Sequence, residues 1–119
     1  MQPFHTMYVD RQISAAGEDL GCGIVAAVRE AVGPQVEISI DAHGHYNIPT
    51  AVRLANRLYD ESRIAWFEES VPPESFEALR NVQEQVRVSI CVGDHLFTRF
   101  DFVPIFEGHL ADYIMPDVV

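Results

Sequence analysis

A chain of 119 residues with a net charge of −10 has room for one small domain with a core, and its acidity argues against nucleic acid and anionic membrane as partners. All eight basic residues are Arg, so no lysine serves as a base or Schiff-base former within the chain. Cys22 and Cys91 stand far apart and in no C-x-x-C arrangement, which excludes a cysteine framework as the organising device and fits a reducing, cytoplasmic setting.

The opening residues, Met1 to Ser14, mix Pro3, aromatic side chains and His5 without a period and read as a leading loop over 1–15. They lack the basic-then-apolar order of a targeting segment, and no stretch of the chain approaches the ~18 apolar residues of a membrane span. From about Gly17 the pattern becomes helical, with Ile24, Val25, Val28 and Val32 on one face, until Gly33-Pro34 stops it. Val36 to Asp41 reads as a strand. Asn47 or Thr50 can cap the next helix, Pro49 suits its first turn, and Val52, Ala55, Leu58 and Tyr59 make its apolar stripe. Ile64 to Glu68 is a second strand. Val71-Pro72-Pro73 forces an extended turn before a helix carrying Phe76, Leu79 and Val82. Val88 to Gly93 is a third strand, a short helix around Phe100 to Glu107 ends at Gly108, and Asp112 to Met115 is the last strand.

The order over 16–119 is therefore αβαβαβαβ, which implies a parallel sheet and an α/β fold. Such a chain offers about four β/α units, whereas a complete (β/α)8 barrel of the TIM type takes about 250 residues. The first and last strands have no neighbours of their own, so the sequence reads as a fragment, a partial barrel domain.

Three of the apolar runs close on an acid, at Asp41, Glu68 and Asp94, and a fourth, YIMPD, closes on Asp117. Ligands of parallel sheets bind outside the carboxyl ends of the strands, so these side chains converge on one mouth. Ionised carboxylates brought together repel one another unless a cation or a proton intervenes. All-oxygen ligation favours Mg²⁺ over zinc and leaves positions open for water and substrate oxygens. Spacing alone leaves a second reading open, because phospho-acceptor domains of the response-regulator type also gather acids at strand ends.

The segments VAAVREAVGP, DAHGHY, WFEES, CVGDHLFTRF and YIMPDVV, in this order from Val25 to Val119, resemble the barrel domain of the mandelate racemase and muconate lactonizing branch of the enolase superfamily. The resemblance implies Asp41, Glu68 and Asp94 as Mg²⁺ ligands, and a chemistry in which a proton is taken from the carbon next to a carboxylate while Mg²⁺ stabilises the ene-diolate. It implies that Asp117 orients a catalytic histidine on the following strand. Members resembling D-x-H at Asp41-Ala42-His43 are acid-sugar dehydratases of the galactonate and mannonate type, in which this histidine protonates the departing hydroxyl. An imidazole, with an ordinary pKa of about 6.5, suits that task.

The expected function is thus a segment of a Mg²⁺-dependent dehydratase acting on a small-molecule sugar acid, whose full-length relatives are homo-oligomers. The base is expected from outside this chain. A racemase, epimerase or cycloisomerase of the same superfamily shares the ligands but needs no acid at His43, and a truncated, non-catalytic fragment is the third possibility. Two departures from the family pattern stand out: Ser70 replaces the usual proline after Glu68-Glu69, and Asp94-His95 replaces the commoner Glu-Asn, shortening the third ligand by one methylene. Glu69 is expected to alternate away from Glu68 and hydrogen-bond within the barrel wall, Trp66 to lie in the interior, and His5 and His109 at the surface. His45, in the turn after Gly44, and His95, in the loop beside a ligand, are read as loop residues before substrate-touching or extra site residues, and Arg99 as a capping or salt-bridge residue before a partner of the substrate carboxylate.

Overall fold

The computed structural model describes residues 1–4, 8, 9 and 11–118, so His5 lies outside the described residues. A four-stranded parallel sheet forms the body of the fold, each strand beside the next one in sequence. Its strands are β3 (Ile40–Asp41), β4 (Trp66–Glu68), β5 (Ser89–Val92) and β6 (Tyr113–Ile114). The helices α1 (Ala15–Val32), α2 (Ile48–Ser62), α3 (Phe76–Gln85) and α4 (Val103–Gly108) pack in sequence order, each against the next. This is a partial barrel: sequential parallel strands with helices between them, running in one direction round the wall.

Local chemistry sets the helix limits. Ser14 caps α1 by accepting the Gly17 N–H, and Gly33 ends it at φ 77°, a conformation open to glycine. Asn47 caps α2 through the Thr50 N–H at 3.0 Å, while its own N–H donates to the Arg11 carbonyl at 2.9 Å. Asn47→Ala is therefore expected to cost about 1 kcal/mol in urea denaturation. An unchanged midpoint would mean that the cap contributes nothing to the start of α2.

Register separates the two faces of the sheet. Ile40 pairs with Phe67 and Phe67 with Ile90, and all three are fully buried with Leu54, Ala55, Leu58 and Val82 of the surrounding helices in the main core. One residue on, Asp41 pairs with Glu68, Glu68 with Cys91 and Cys91 with Tyr113, so a second row runs across the opposite, inner face. Trp66 shares that face with Glu68, as alternation predicts, and its ring tilts against Tyr113.

At the other end of the strands Arg29 joins four carbonyls. Its guanidinium donates to Ser62 and Arg63 at the end of α2, and to Gly33 and Val36 between α1 and β3. Planar donors in a fixed fork suit this better than an ammonium would.

Several expectations shift. The paired strands are shorter than their apolar runs, β3 keeping only Ile40–Asp41 of Val36 to Asp41. The last helix is likewise shorter and is capped by His109, which is exposed as expected. Helix α1 buries Glu18, Gly21, Cys22 and Val25, leaving Ile24 and Val32 exposed, because Glu18 ion-pairs with Arg53 and Arg57 of α2 and the Phe4 ring fills the space beside Gly21. A short antiparallel hairpin, β1 (Tyr8–Val9) with β2 (Gln12–Ile13), stands within the segment that reads as loop. Cys22 and Cys91 are free and buried, and burial pushes their thiols up to about 11 and about 12. Among the described residues no helix is long and apolar enough to cross a membrane.

Candidate functional site

The inner row brings Asp41 and Glu68 side by side at the ends of β3 and β4. On β5 the equivalent position is Cys91, so the third acid comes from further on: Asp94 lies two residues past the last residue of β5, in the loop opened by Gly93. Asp117 stands three residues past β6 on an exposed segment, beside a groove lined by Leu96, Phe102, Phe106 and Ile114.

Glu68 is 8% exposed. Burial first, then the negative charges of Asp41, Asp94 and Glu69, push its carboxyl above the ordinary glutamate value, against the Trp66 indole N–H, which donates to Oε2 at 3.4 Å and favours the ionised form. The acids thus act on one another electrostatically.

The loop after β3 holds His43 against Asp41. His43 takes φ 58°, a left-handed conformation in which His is more common than most residues, and its N–H donates to Asp41 Oδ1 at 2.9 Å. The same turn brings His43 Nδ1 to 2.9 Å from Asp41 Oδ2. Gln2 completes the group: its Nε2 donates to Asp41 Oδ2 at 2.7 Å and lies 3.2 Å from Nδ1 and 3.1 Å from Nε2 of His43. Gln2 reaches this place because Met1 runs along the edge of β3, its carbonyl accepting the Asp41 N–H at 2.9 Å. His45 tilts against the His43 ring.

Glu69, just after Glu68, is buried at φ 46° and turns its carboxylate to the loop after β5. Oε1 accepts the Gly93 N–H at 2.8 Å, and Oε2 lies 3.2 Å from His95 Nδ1. Glu69 is hydrogen-bonded as expected, but across the strand ends to the loop after β5 and not within the barrel wall. The neighbouring Ser70 hydroxyl is buried with no hydrogen-bond partner among the described residues. Arg99 rests its guanidinium on the Phe100 ring at 4.8 Å from the centroid, away from the acids of the inner row in sequence and on an exposed loop.

Among the described residues no three His, Cys, Asp or Glu side chains stand close enough together to hold a metal ion. The donor chemistry nonetheless fits Mg²⁺, which takes one or two carboxylates and keeps several waters. Two adjacent carboxylates and a third within electrostatic reach make up such a set, and among the described residues no Arg enters the hydrogen bonds of Asp41 and Glu68.

Sequence alternation identifies Trp66, Asp41 and Glu68. Gln2 and the Glu69–His95 contact carry no local signal, since each joins segments distant in sequence.

A family model described as "Enolase C-terminal domain-like" matches residues 10–119. The chain is 34% identical over 95 residues to a D-xylonate dehydratase of Haloferax volcanii, a stretch that makes up 80% of this chain and 23% of that protein. A solved structure of a mandelate racemase/muconate lactonizing enzyme-like protein from Rubrobacter xylanophilus superposes with a TM-score of 0.86 at 40% identity, covering 94% of this chain and 29% of that one. Rhamnonate dehydratase from Gibberella zeae, solved in complex with Mg, superposes with a TM-score of 0.80 at 27% identity, covering 87% of this chain and 26% of that one. The chain spans about a quarter of the length of these relatives.

Proposed function

Because the chain belongs to the enolase C-terminal domain-like family, we propose that it supplies the metal ligands and the general acid of a Mg²⁺-dependent acid-sugar dehydratase. The observation that carries this reading is the pairing of Asp41 with Glu68 in register, with His43 held against Asp41 at 2.9 Å. The named activities of the D-xylonate and rhamnonate dehydratases support the substrate class.

Asp41, Glu68 and Asp94 would hold the cation. A bound Mg²⁺ supplies a fixed positive charge where negative charge builds on a carboxylate substrate as its α-proton leaves. His43 has the second task. As the bond between the β-carbon and its hydroxyl oxygen breaks, the imidazole gives a proton to that oxygen, and water departs. The electron pair of the broken C–H bond forms the new double bond, giving an enol that tautomerises to the 2-keto-3-deoxy acid. Gln2, by donating to Asp41 Oδ2, holds that carboxylate against the imidazole. Asp117 would orient a histidine base carried on a following strand, the base removing the α-proton.

The His43 contact with Asp41 favours dehydration over racemisation or cycloisomerisation, which have no departing hydroxyl to protonate. The test uses the chain joined to the remaining barrel segments of the Haloferax volcanii relative, assayed with Mg²⁺ on a panel of sugar acids for 2-keto-3-deoxy products. His43→Asn is expected to lower turnover by about 100-fold or more while leaving Mg²⁺ affinity within a few-fold. Intact dehydration in that variant would refute the general-acid role.

A further inference from the structure

We propose that Glu69 is a positioning residue that sets where Asp94 stands in the metal site, an inference that rests on the Mg²⁺ reading above. Asp94 is exposed and sits in a loop, and an aspartate reaches one methylene less far than a glutamate would. A shorter side chain leaves the donor oxygen more dependent on where the backbone holds it.

Glu69 grips that backbone on both sides. Gly93 precedes Asp94 and gives its N–H to Glu69 Oε1 at 2.8 Å; His95 follows Asp94 and brings Nδ1 to 3.2 Å from Oε2. One carboxylate therefore spans the residue between them. The grip is itself anchored, because the Glu69 N–H donates to the Cys91 carbonyl at 3.0 Å and its carbonyl accepts the Gly44 N–H at 2.6 Å. Glu69 thus ties the loop after β5, which carries Asp94, to the loop after β3, which carries His43.

At 3% exposure the Glu69 carboxylate is costly to bury unless hydrogen-bonded, and its partners are these two neighbours of Asp94. The left-handed φ of 46° at Glu69 aims its side chain across the strand ends instead of into the wall.

The experiment measures Mg²⁺ affinity by calorimetry and Tm by thermal denaturation on the full 119-residue chain. Glu69→Ala is expected to weaken Mg²⁺ binding by about 10- to 100-fold, a loss typical of groups that orient metal ligands. Glu69→Gln keeps an oxygen for the Gly93 N–H and an amide for His95, and is expected to restore most of the affinity. His95→Ala removes one arm of the grip at a half-exposed position and is expected to lose part of it.

Unchanged affinity in Glu69→Ala overturns the proposal, as does equal loss in Ala and Gln variants that merely follows their loss of Tm. If Glu69→Ala does not fold, His95→Ala decides, and unchanged affinity there overturns the proposal. No saturable Mg²⁺ binding by the unsubstituted chain would remove the metal reading together with this one, whereas binding that is indifferent to Glu69 removes only this one.

Discussion

Gly93→Ala is expected to cost the folded chain about 3 kcal/mol or more and to unpair β6 from β5. A Cβ at Gly93 would fall 2.3 Å from the Met115 carbonyl oxygen and 2.7 Å from its nitrogen, distances that only a backbone shift can relieve. The Met115 backbone, just past β6, cannot move away freely, since its N–H is bonded to the Val92 carbonyl at 2.8 Å. Strain adds to the clash, because φ at Gly93 is 156°, a conformation that L side chains rarely adopt. Urea denaturation and far-UV circular dichroism would record the change. A variant as stable as the unsubstituted chain would mean that the close approach of Met115 to Gly93 is not part of the native structure. The same change should displace the loop bearing Asp94, whose Gly93 N–H is the one Glu69 accepts.

Glu68→Gln is expected to raise Tm at neutral pH in the absence of divalent cations, and to abolish the rise in Tm that Mg²⁺ gives. Glu68 titrates in the folded chain above its ordinary value of 4.5, chiefly because it is buried and then because Asp41 faces it. The folded state therefore holds its proton more tightly than the unfolded state does. Its contribution is fully present below the unfolded value and is lost as pH rises through the folded value, so the metal-free chain weakens from about pH 4.5 upward on account of this group. A glutamine has no proton to lose, so that part of the pH dependence disappears. Thermal denaturation in a chelator across the acidic to neutral range, repeated with Mg²⁺, separates the two effects. A Gln variant that is less stable than the unsubstituted chain at neutral pH, with the same pH slope, would contradict this account.

Helix starts and stops are written locally, and Ser14, Gly33, Asn47 and Pro49 act in the structure as their types predict. The alternation of strands and helices was equally legible. Period alone did not settle which face of α1 turns inward: Glu18, Gly21 and Cys22 are buried by Phe4 and the Arg residues of α2, partners no window of sequence reveals. The two-residue strands of the first hairpin are too short to show an alternation. In the site, Asp41 and Glu68 announce themselves as acids closing apolar runs and meet in register. Asp94 lies beyond the paired part of its strand, so its position depends on loop geometry, and the loop is shaped by Glu69. That role was hidden because a left-handed residue breaks the two-residue period on which strand-face arguments rest.

Arg29 shows how the fold divides its labour. Its four carbonyl acceptors lie where the helices end and the strands begin, so they fasten the floor of the barrel wall. The acids, His43 and Glu69 occupy the opposite rim, where each strand runs out into its loop. With fastening and reactivity assigned to opposite ends of the same strands, the rim tolerates the mutual repulsion of its carboxylates without the floor having to yield. Sequence drift at one end can then proceed with little consequence at the other, and a family built on this plan can change its substrates while keeping its wall.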